Sequence, residues 1–122
     1  SLEDLKIKMK QLSQTYNKNI LIAETAYPFT LEWNDWTNNI VGFEEQLILP
    51  EYPATIEGQR KFIKQIKRLT KEVENGIGFC YWGAELIAWK ENQSVDASHW
   101  ENQALFDFEN KALPVFSEFE AE

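Results

Sequence analysis

The sequence predicts an α/β fold in which parallel strands are covered by helices. Two short apolar runs, Ile20 to Ala23 and Ile77 to Trp82, lack polar alternation and have the length and branching of strands buried on both faces. A segment with helical periodicity, ending at Asn75-Gly76, lies between them, and strand, helix, strand is the order of a parallel crossover unit. The first run ends on a carboxylate, Glu24, which is therefore expected at the carboxyl end of a strand.

The first helix is predicted over residues 2 to 16, where apolar side chains recur at spacings of four, three and four with lysines between them. It ends at Asn17-Lys18-Asn19, and Pro28 stops regular structure shortly after the first strand. The apolar positions of this helix are Leu5, Met9, Leu12 and Tyr16.

Residues 29 to 54 form a long loop with neither a helical period nor clear alternation. A loop longer than about 12 to 15 residues is usually functional or disordered, and this one is too aromatic for disorder. Its aromatic residues include Trp33, Trp36, Phe43 and Tyr52.

The second helix begins with Thr55 as its N-cap and Glu57 in its first turn. A second loop covers about residues 90 to 103, a turn is predicted at Glu109-Asn110-Lys111, and a short helix runs from Leu113 to Phe119. The apolar repeat of the second helix is Phe62, Ile63, Ile66, Leu69 and Val73.

Composition excludes several classes of function. The chain has 122 residues, 43% of them hydrophobic and 26% charged, which suits one globular domain. Its net charge of −8 argues against nucleic acid or an anionic membrane surface as partner. No apolar run could cross a bilayer, and no signal peptide is visible. A single cysteine, Cys80, predicts a buried thiol without a disulfide, and a single histidine, His99, excludes a multi-histidine metal site.

The position of Glu24 is the first indication of function, because ligand sites in α/β sheets form beyond the carboxyl ends of the strands. If the strand continues through Glu24, its side chain shares a face with Ile20 and Ile22, which would be the inward face of a barrel. A structural role, pairing with a lysine or capping the next turn, remains an alternative.

Two parallel strands do not make a self-sufficient sheet, because each needs a neighbour on its other edge. We therefore expect residues 1–122 to be a carboxyl-terminal piece of a larger α/β domain whose other strands precede Ser1. The open edges predict a companion chain segment or self-association.

Four blocks of sequence resemble the end of glycoside hydrolase family 53, the endo-β-1,4-galactanases, in that family's order and spacing. The resemblance implies an eight-stranded (β/α) barrel of the TIM type, of which this chain supplies helix, strand seven, long loop, helix, strand eight and the C-terminal segment. The blocks are Glu24-Thr25-Ala26-Tyr27-Pro28, Tyr52-Pro53-Ala54-Thr55 with Glu57-Gly58-Gln59, Gly78-Phe79-Cys80-Tyr81-Trp82, and Trp100-Glu101-Asn102-Gln103-Ala104-Leu105-Phe106-Asp107-Phe108 with Ala112-Leu113-Pro114.

The resemblance implies retaining endo-hydrolysis of β-1,4-galactosidic bonds in pectic galactan or arabinogalactan, with Glu24 matching the nucleophile. Retention needs a second carboxyl group as acid/base, which in the family lies on strand four, so this chain alone is expected to be inactive. The family is secreted, periplasmic or on the cell surface, and its reaction requires no cofactor. Two rivals remain open: a carbohydrate-binding or interaction module without catalysis, and the same barrel acting on another β-linked polysaccharide.

Substrate-binding residues follow from the same resemblance. Trp82 matches a tryptophan of the sugar-binding floor, although it could instead fill the barrel. Trp33 and Trp36 lie in the strand-seven loop, where they could bind sugar or form a local core, and Tyr27 belongs to the Glu24 block. After Trp82 the chain departs from the family pattern, reading Gly83-Ala84-Glu85-Leu86.

Calcium is held in the strand-seven loop by several bacterial members of the family. The corresponding stretch here is Asn34-Asp35-Trp36-Thr37-Asn38-Asn39, which has one carboxylate for an ion that takes six to eight oxygen ligands. Calcium is therefore an alternative to a site without a metal.

Overall fold

The structure, a computed structural model, describes residues 1–120. It contains helix α1 (Leu2–Tyr16), strand β1 (Ile20–Thr25), helix α2 (Ile56–Glu72) and strand β2 (Gly76–Tyr81). The strands pair in parallel with α2 as the crossover, so the predicted α/β class and element order are confirmed. Short 3-10 helices lie at Glu44–Gln46, Glu101–Gln103 and Pro114–Phe119, the last where a short helix is predicted. No helix within residues 1–120 is long and apolar enough to span a membrane.

Helix α2 begins where the sequence predicts. The Thr55 hydroxyl caps the helix by accepting from the Gly58 backbone N–H at 3.0 Å. A Cβ atom on Gly58 would lie 1.8 Å from the Pro53 carbonyl oxygen, so only glycine lets the first turn approach this backbone. The buried face of α2 packs on the sheet through Phe62, Ile63, Ile66, Leu69 and the Val73 that follows the helix.

The sheet has one covered face and one open face. Ile20 and Ile22 of β1, with Phe79 and Tyr81 of β2, pack against the core formed with α2. On the other face, Leu21, Ile77 and Cys80 are exposed, the first two by 47% and 60%. The predictions that both faces are buried and that Cys80 is a buried thiol are therefore wrong for the described residues, because nothing within residues 1–120 covers this side.

Strand β1 contains a bulge immediately before its end. Ile22 pairs with Phe79 and Thr25 with Tyr81, so three steps along β1 match two along β2. Ala23 and Glu24 are consecutively exposed, whereas Ile22 and Thr25 on either side are partly buried. The extra residue turns Glu24 to the open face, away from the covered face of Ile22.

The predicted shared face of Glu24, Ile20 and Ile22 is thus wrong, since strict alternation is interrupted by the bulge. Ile20 and Ile22 face the helices, which is the outward direction in a barrel, and Glu24 lies on the side that a barrel would enclose.

The loops that follow the two strands are joined by backbone hydrogen bonds. The amide of Phe29 donates to Asn102 at 2.9 Å, that of Trp36 to Ser94 at 2.9 Å, and that of Ile40 to His99 at 2.8 Å. The long loop after β1 is therefore held by the loop after β2 in addition to its own 3-10 helix.

Candidate active site

Glu24 lies exposed at the carboxyl end of β1, with its backbone fixed to the neighbouring strand. The carbonyl of the next residue, Thr25, accepts from the Trp82 amide at 2.8 Å. The salt bridges and side-chain hydrogen bonds of residues 1–120 do not include Glu24. The alternative of a structural ion pair or turn cap therefore has no support in the described chain, and the carboxylate is available for a ligand.

Trp82 is brought to the same end of the sheet as Glu24. Its side chain is 45% exposed, and its ring meets that of Trp100 edge to face, with centroids 6.1 Å apart. This contact braces one side of the indole while the exposed part stays accessible, which suits stacking on the apolar face of a sugar.

The other predicted tryptophans lie in the loop after β1. Trp36 is 63% exposed and Trp33 is 44% exposed, so neither forms the buried local core that was the alternative. A fourth exposed indole, Trp89, lies in the loop after β2 with the Lys90 ammonium 4.7 Å from its ring centroid. We did not predict Trp89 as a site residue from the sequence, because its position in a loop is the only feature there that points to such a role.

Tyr27 is placed in the core, away from the open face. Its ring stacks on Phe62 of α2 with centroids 4.3 Å apart, and its hydroxyl donates to the Tyr52 carbonyl. The predicted contact between Tyr27 and substrate is therefore corrected. The reason is that β1 ends at Thr25 and the following residues turn towards α2.

A buried pair of carboxyl groups joins the two loops. Asp35 accepts from the Thr37 amide at 2.7 Å through Oδ1, and Glu101 accepts from the Asn34 amide at 3.3 Å through Oε1. Asp35 Oδ2 and Glu101 Oε2 are both buried and have no hydrogen-bond donor among the described residues. Burial, reinforced by the Asp35 carboxylate, raises the pKa of Glu101 to about 7.

Protonated Glu101 can share its proton with Asp35, so folding favours the acid form. Because the folded pKa lies above the ordinary value of 4.5, the folded chain holds a proton that the unfolded chain has lost, and stability falls as pH rises from 4.5 to about 7. We expect Glu101→Gln to remove this dependence and to raise stability at pH 8 by roughly 1 to 3 kcal/mol.

Urea denaturation of both proteins at pH 5 and pH 8 measures this effect. Glu85→Gln is the matched control because Glu85 is exposed. Equal pH slopes for the parent protein and Glu101→Gln would contradict the shared proton.

The predicted calcium stretch provides few free ligands. One oxygen of Asp35 is bonded to Thr37, and Asn39 Nδ2 donates to the Glu32 carbonyl at 3.2 Å, while Asn39 Oδ1 is buried without a partner in the part of the chain that the structure describes. No group of three or more His, Cys, Asp or Glu side chains that could hold a metal gathers within residues 1–120. The one carboxylate of this stretch is by itself fewer ligands than the six to eight oxygens that calcium takes.

Comparison with known proteins places this geometry in a family. The model of glycosyl hydrolase family 53 matches residues 1–119. The arabinogalactan endo-β-1,4-galactanase of Cellvibrio japonicus is 37% identical over 125 residues, covering 100% of this chain and 32% of that protein. An uncharacterised protein in the bgaB 5′ region of Niallia circulans is 39% identical over 124 residues, covering 99% of this chain and 34% of that protein.

Solved structures agree with the fold. The family 53 catalytic domain of Ignisphaera aggregans superposes with a TM-score of 0.82 at 35% identity, over 98% of this chain and 34% of that one. Fungal β-1,4-galactanases, at 24% identity and a TM-score of 0.62, support the fold alone, over 98% of this chain and 32% of theirs. The predicted TIM-barrel class is confirmed, and the chain spans about a third of the length of these relatives.

Proposed function

Because the chain belongs to glycosyl hydrolase family 53, we propose that it forms part of a retaining endo-hydrolase of β-1,4-galactosidic bonds in pectic galactan or arabinogalactan. The observation that carries the proposal is the bulge in β1, which turns Glu24 onto the open face beside the end of β2. The name of the Cellvibrio japonicus relative supports galactan as the substrate.

The proposed reaction has two steps. The Glu24 carboxylate attacks the anomeric carbon and forms a glycosyl ester, while a second carboxyl group protonates the departing oxygen. That group then removes a proton from water, which cleaves the ester and restores Glu24. The two carboxyls must be about 5 to 5.5 Å apart, and the second comes from the remainder of the barrel. Residues 1–122 alone are therefore proposed to be inactive, and the chemistry requires no cofactor.

The open face of the sheet is proposed to contact the remainder of the barrel. Leu21 and Ile77 expose apolar surface there, next to strand edges that no other strand of residues 1–120 pairs with. Without that covering, this surface and the edges would favour self-association of the isolated chain. From membership of the family we propose that the enzyme is secreted, periplasmic or on the cell surface.

The test of this function measures binding and turnover separately, using the protein that contains the complete barrel and β-1,4-galactooligosaccharides. We expect hydrolysis of internal bonds, with β-configured products in the first minutes of an NMR time course. Binding without turnover would instead support a carbohydrate-binding module, and hydrolysis of a mannan or glucan in preference to galactan would change the sugar but keep the barrel.

The exposed tryptophans provide a second test. We expect Trp82→Ala to lower kcat/KM by an amount equivalent to about 1 to 3 kcal/mol, because an indole platform contributes this much to stacking. Trp33→Ala and Trp36→Ala are expected to weaken the use of long substrates more than short ones. Kinetics on galactobiosides and longer oligosaccharides, with thermal denaturation of each variant, distinguish these effects. Unchanged kinetics with a lowered melting temperature would make the affected indole structural.

A further inference from the structure

The hydroxyl of Tyr81 joins the ends of both strands to the segment that follows them. It donates to the Gln103 carbonyl at 2.7 Å and accepts from the Tyr27 amide at 3.2 Å, and it also lies 3.2 Å from the Tyr27 carbonyl. Burial raises the pKa of Tyr81 to about 12, so the phenol keeps its proton at neutral pH and remains a donor.

Gln59 completes this connection from helix α2. Its side chain is fully buried, and Nε2 donates to the Tyr27 and Ala104 carbonyls, each at 3.0 Å, and lies 3.4 Å from the Tyr81 hydroxyl. The donors of Nε2 are bonded, whereas Oε1 is buried without a hydrogen-bond partner within residues 1–120, so it is the bonds of Nε2 that fix the segments around the amide. We refer to Gln59 and Tyr81 together as the bracket.

The bracket lies beside the bulge that orients Glu24. Thr25, the residue after Glu24, pairs with Tyr81 and accepts from the Trp82 amide at 2.8 Å, and Tyr27 is bonded to both bracket side chains. A bulge locally disrupts the regular ladder that would otherwise fix the strand end. The bracket provides fixed hydrogen bonds on the carboxyl side of that interruption.

We propose that Tyr81 and Gln59 are positioning residues for the nucleophile, acting through the backbone of residues 25 to 27 without contacting substrate. The inference rests on the proposed function of Glu24 and adds to it the residues that hold its strand end. A displacement of about 1 Å at a reacting group can cost on the order of a hundredfold in rate. Loosening the bracket should therefore slow the covalent step more than it weakens substrate binding.

The test uses Tyr81→Phe and Gln59→Met in the protein with the complete barrel. Each change removes the bracket's hydrogen bonds while nearly preserving volume. The matched control is Ser13→Ala. Ser13 is also buried, and its hydroxyl donates to the Glu74 carbonyl at 2.6 Å. This hydrogen bond lies next to the residues that precede β2, at the opposite end of the strand from Tyr81. Circular dichroism checks that each variant keeps the fold of the parent protein, and urea denaturation measures its stability.

The readouts are kcat, KM and the rate at which a 2-deoxy-2-fluorogalactobioside with a good leaving group forms its ester on Glu24. We expect each bracket variant to lower kcat and the labelling rate by about 10- to 100-fold while KM changes by less than about threefold. Ser13→Ala should leave kcat and the labelling rate within about twofold of the parent values, even where it lowers stability as much as the bracket variants do.

Labelling of Glu24 at the parent rate in either folded bracket variant would overturn the positioning role. So would a rise in KM alone, or the failure of both variants to fold. If the parent protein itself neither hydrolyses galactan nor is labelled at Glu24, the proposed function fails, and that result is distinguishable because it requires no bracket variant.

Discussion

Glu24→Ala, made in the protein that contains the complete barrel, is expected to lower the hydrolysis of galactan by about four orders of magnitude or more. Removal of a catalytic nucleophile typically costs this much, because no other group can form the covalent intermediate. Glu24 is the carboxylate that the bulge in β1 turns onto the open face, and its exposure predicts that alanine there leaves the fold intact. Initial rates on galactan, with circular dichroism of the variant, measure the effect.

The space left by this substitution should admit a small anion. Azide would attack from the side that the carboxylate occupied, so an aryl galactobioside should yield a galactosyl azide of inverted configuration. Glu85→Gln and Glu101→Gln are the controls, since neither residue ends a strand, and both variants should retain the covalent step. Activity of Glu24→Ala near that of the parent protein would remove Glu24 from the mechanism.

Gly58→Ala is expected to destabilise the protein by about 2 to 4 kcal/mol, as overpacking against fixed backbone does. The direction of this change in stability is informative, because replacing glycine by alanine in a helix normally stabilises it by about 1 kcal/mol. Here the added Cβ would lie 1.8 Å from the Pro53 carbonyl oxygen, so the start of α2 would have to move, together with the adjacent Gln59.

Urea denaturation of Gly58→Ala measures this cost, and Gly42→Ala is the control. A Cβ on Gly42 would meet its nearest neighbour, the Asn39 carbonyl oxygen, at an ordinary 3.6 Å. A Gly58→Ala protein as stable as its parent would show that the approach of Pro53 to α2 is not required.

Much of the fold could be predicted because its signals are local. The spacing of apolar residues placed α1 over residues 2 to 16, and the side chain of Thr55 placed the start of α2. The bulge could not be predicted, since it depends on how Ile22 and Thr25 pair with the other strand. For that reason the sequence placed Glu24 at the right strand end but on the wrong face relative to Ile22.

The site could be predicted less completely because its contacts join distant segments. Tyr27 belongs to the same sequence block as Glu24, yet it packs on Phe62 because the chain turns after β1. The pairing of Asp35 with Glu101 arises only when two loops meet, and no spacing along the chain indicates it. Gln59 lay within a family block, but its bonds to Tyr27 and Ala104 are visible only in the fold.

The most direct test of the central claim is to trap the glycosyl ester on the protein with the complete barrel. A 2-deoxy-2-fluorogalactobioside with a good leaving group forms this ester quickly and releases it slowly, and fragmentation of the labelled peptide by mass spectrometry locates the sugar. We expect one added fluorogalactobiosyl group on Glu24, the carboxylate at the bulged end of β1. A sugar attached to another carboxylate, or turnover with inverted product and no adduct, would contradict it.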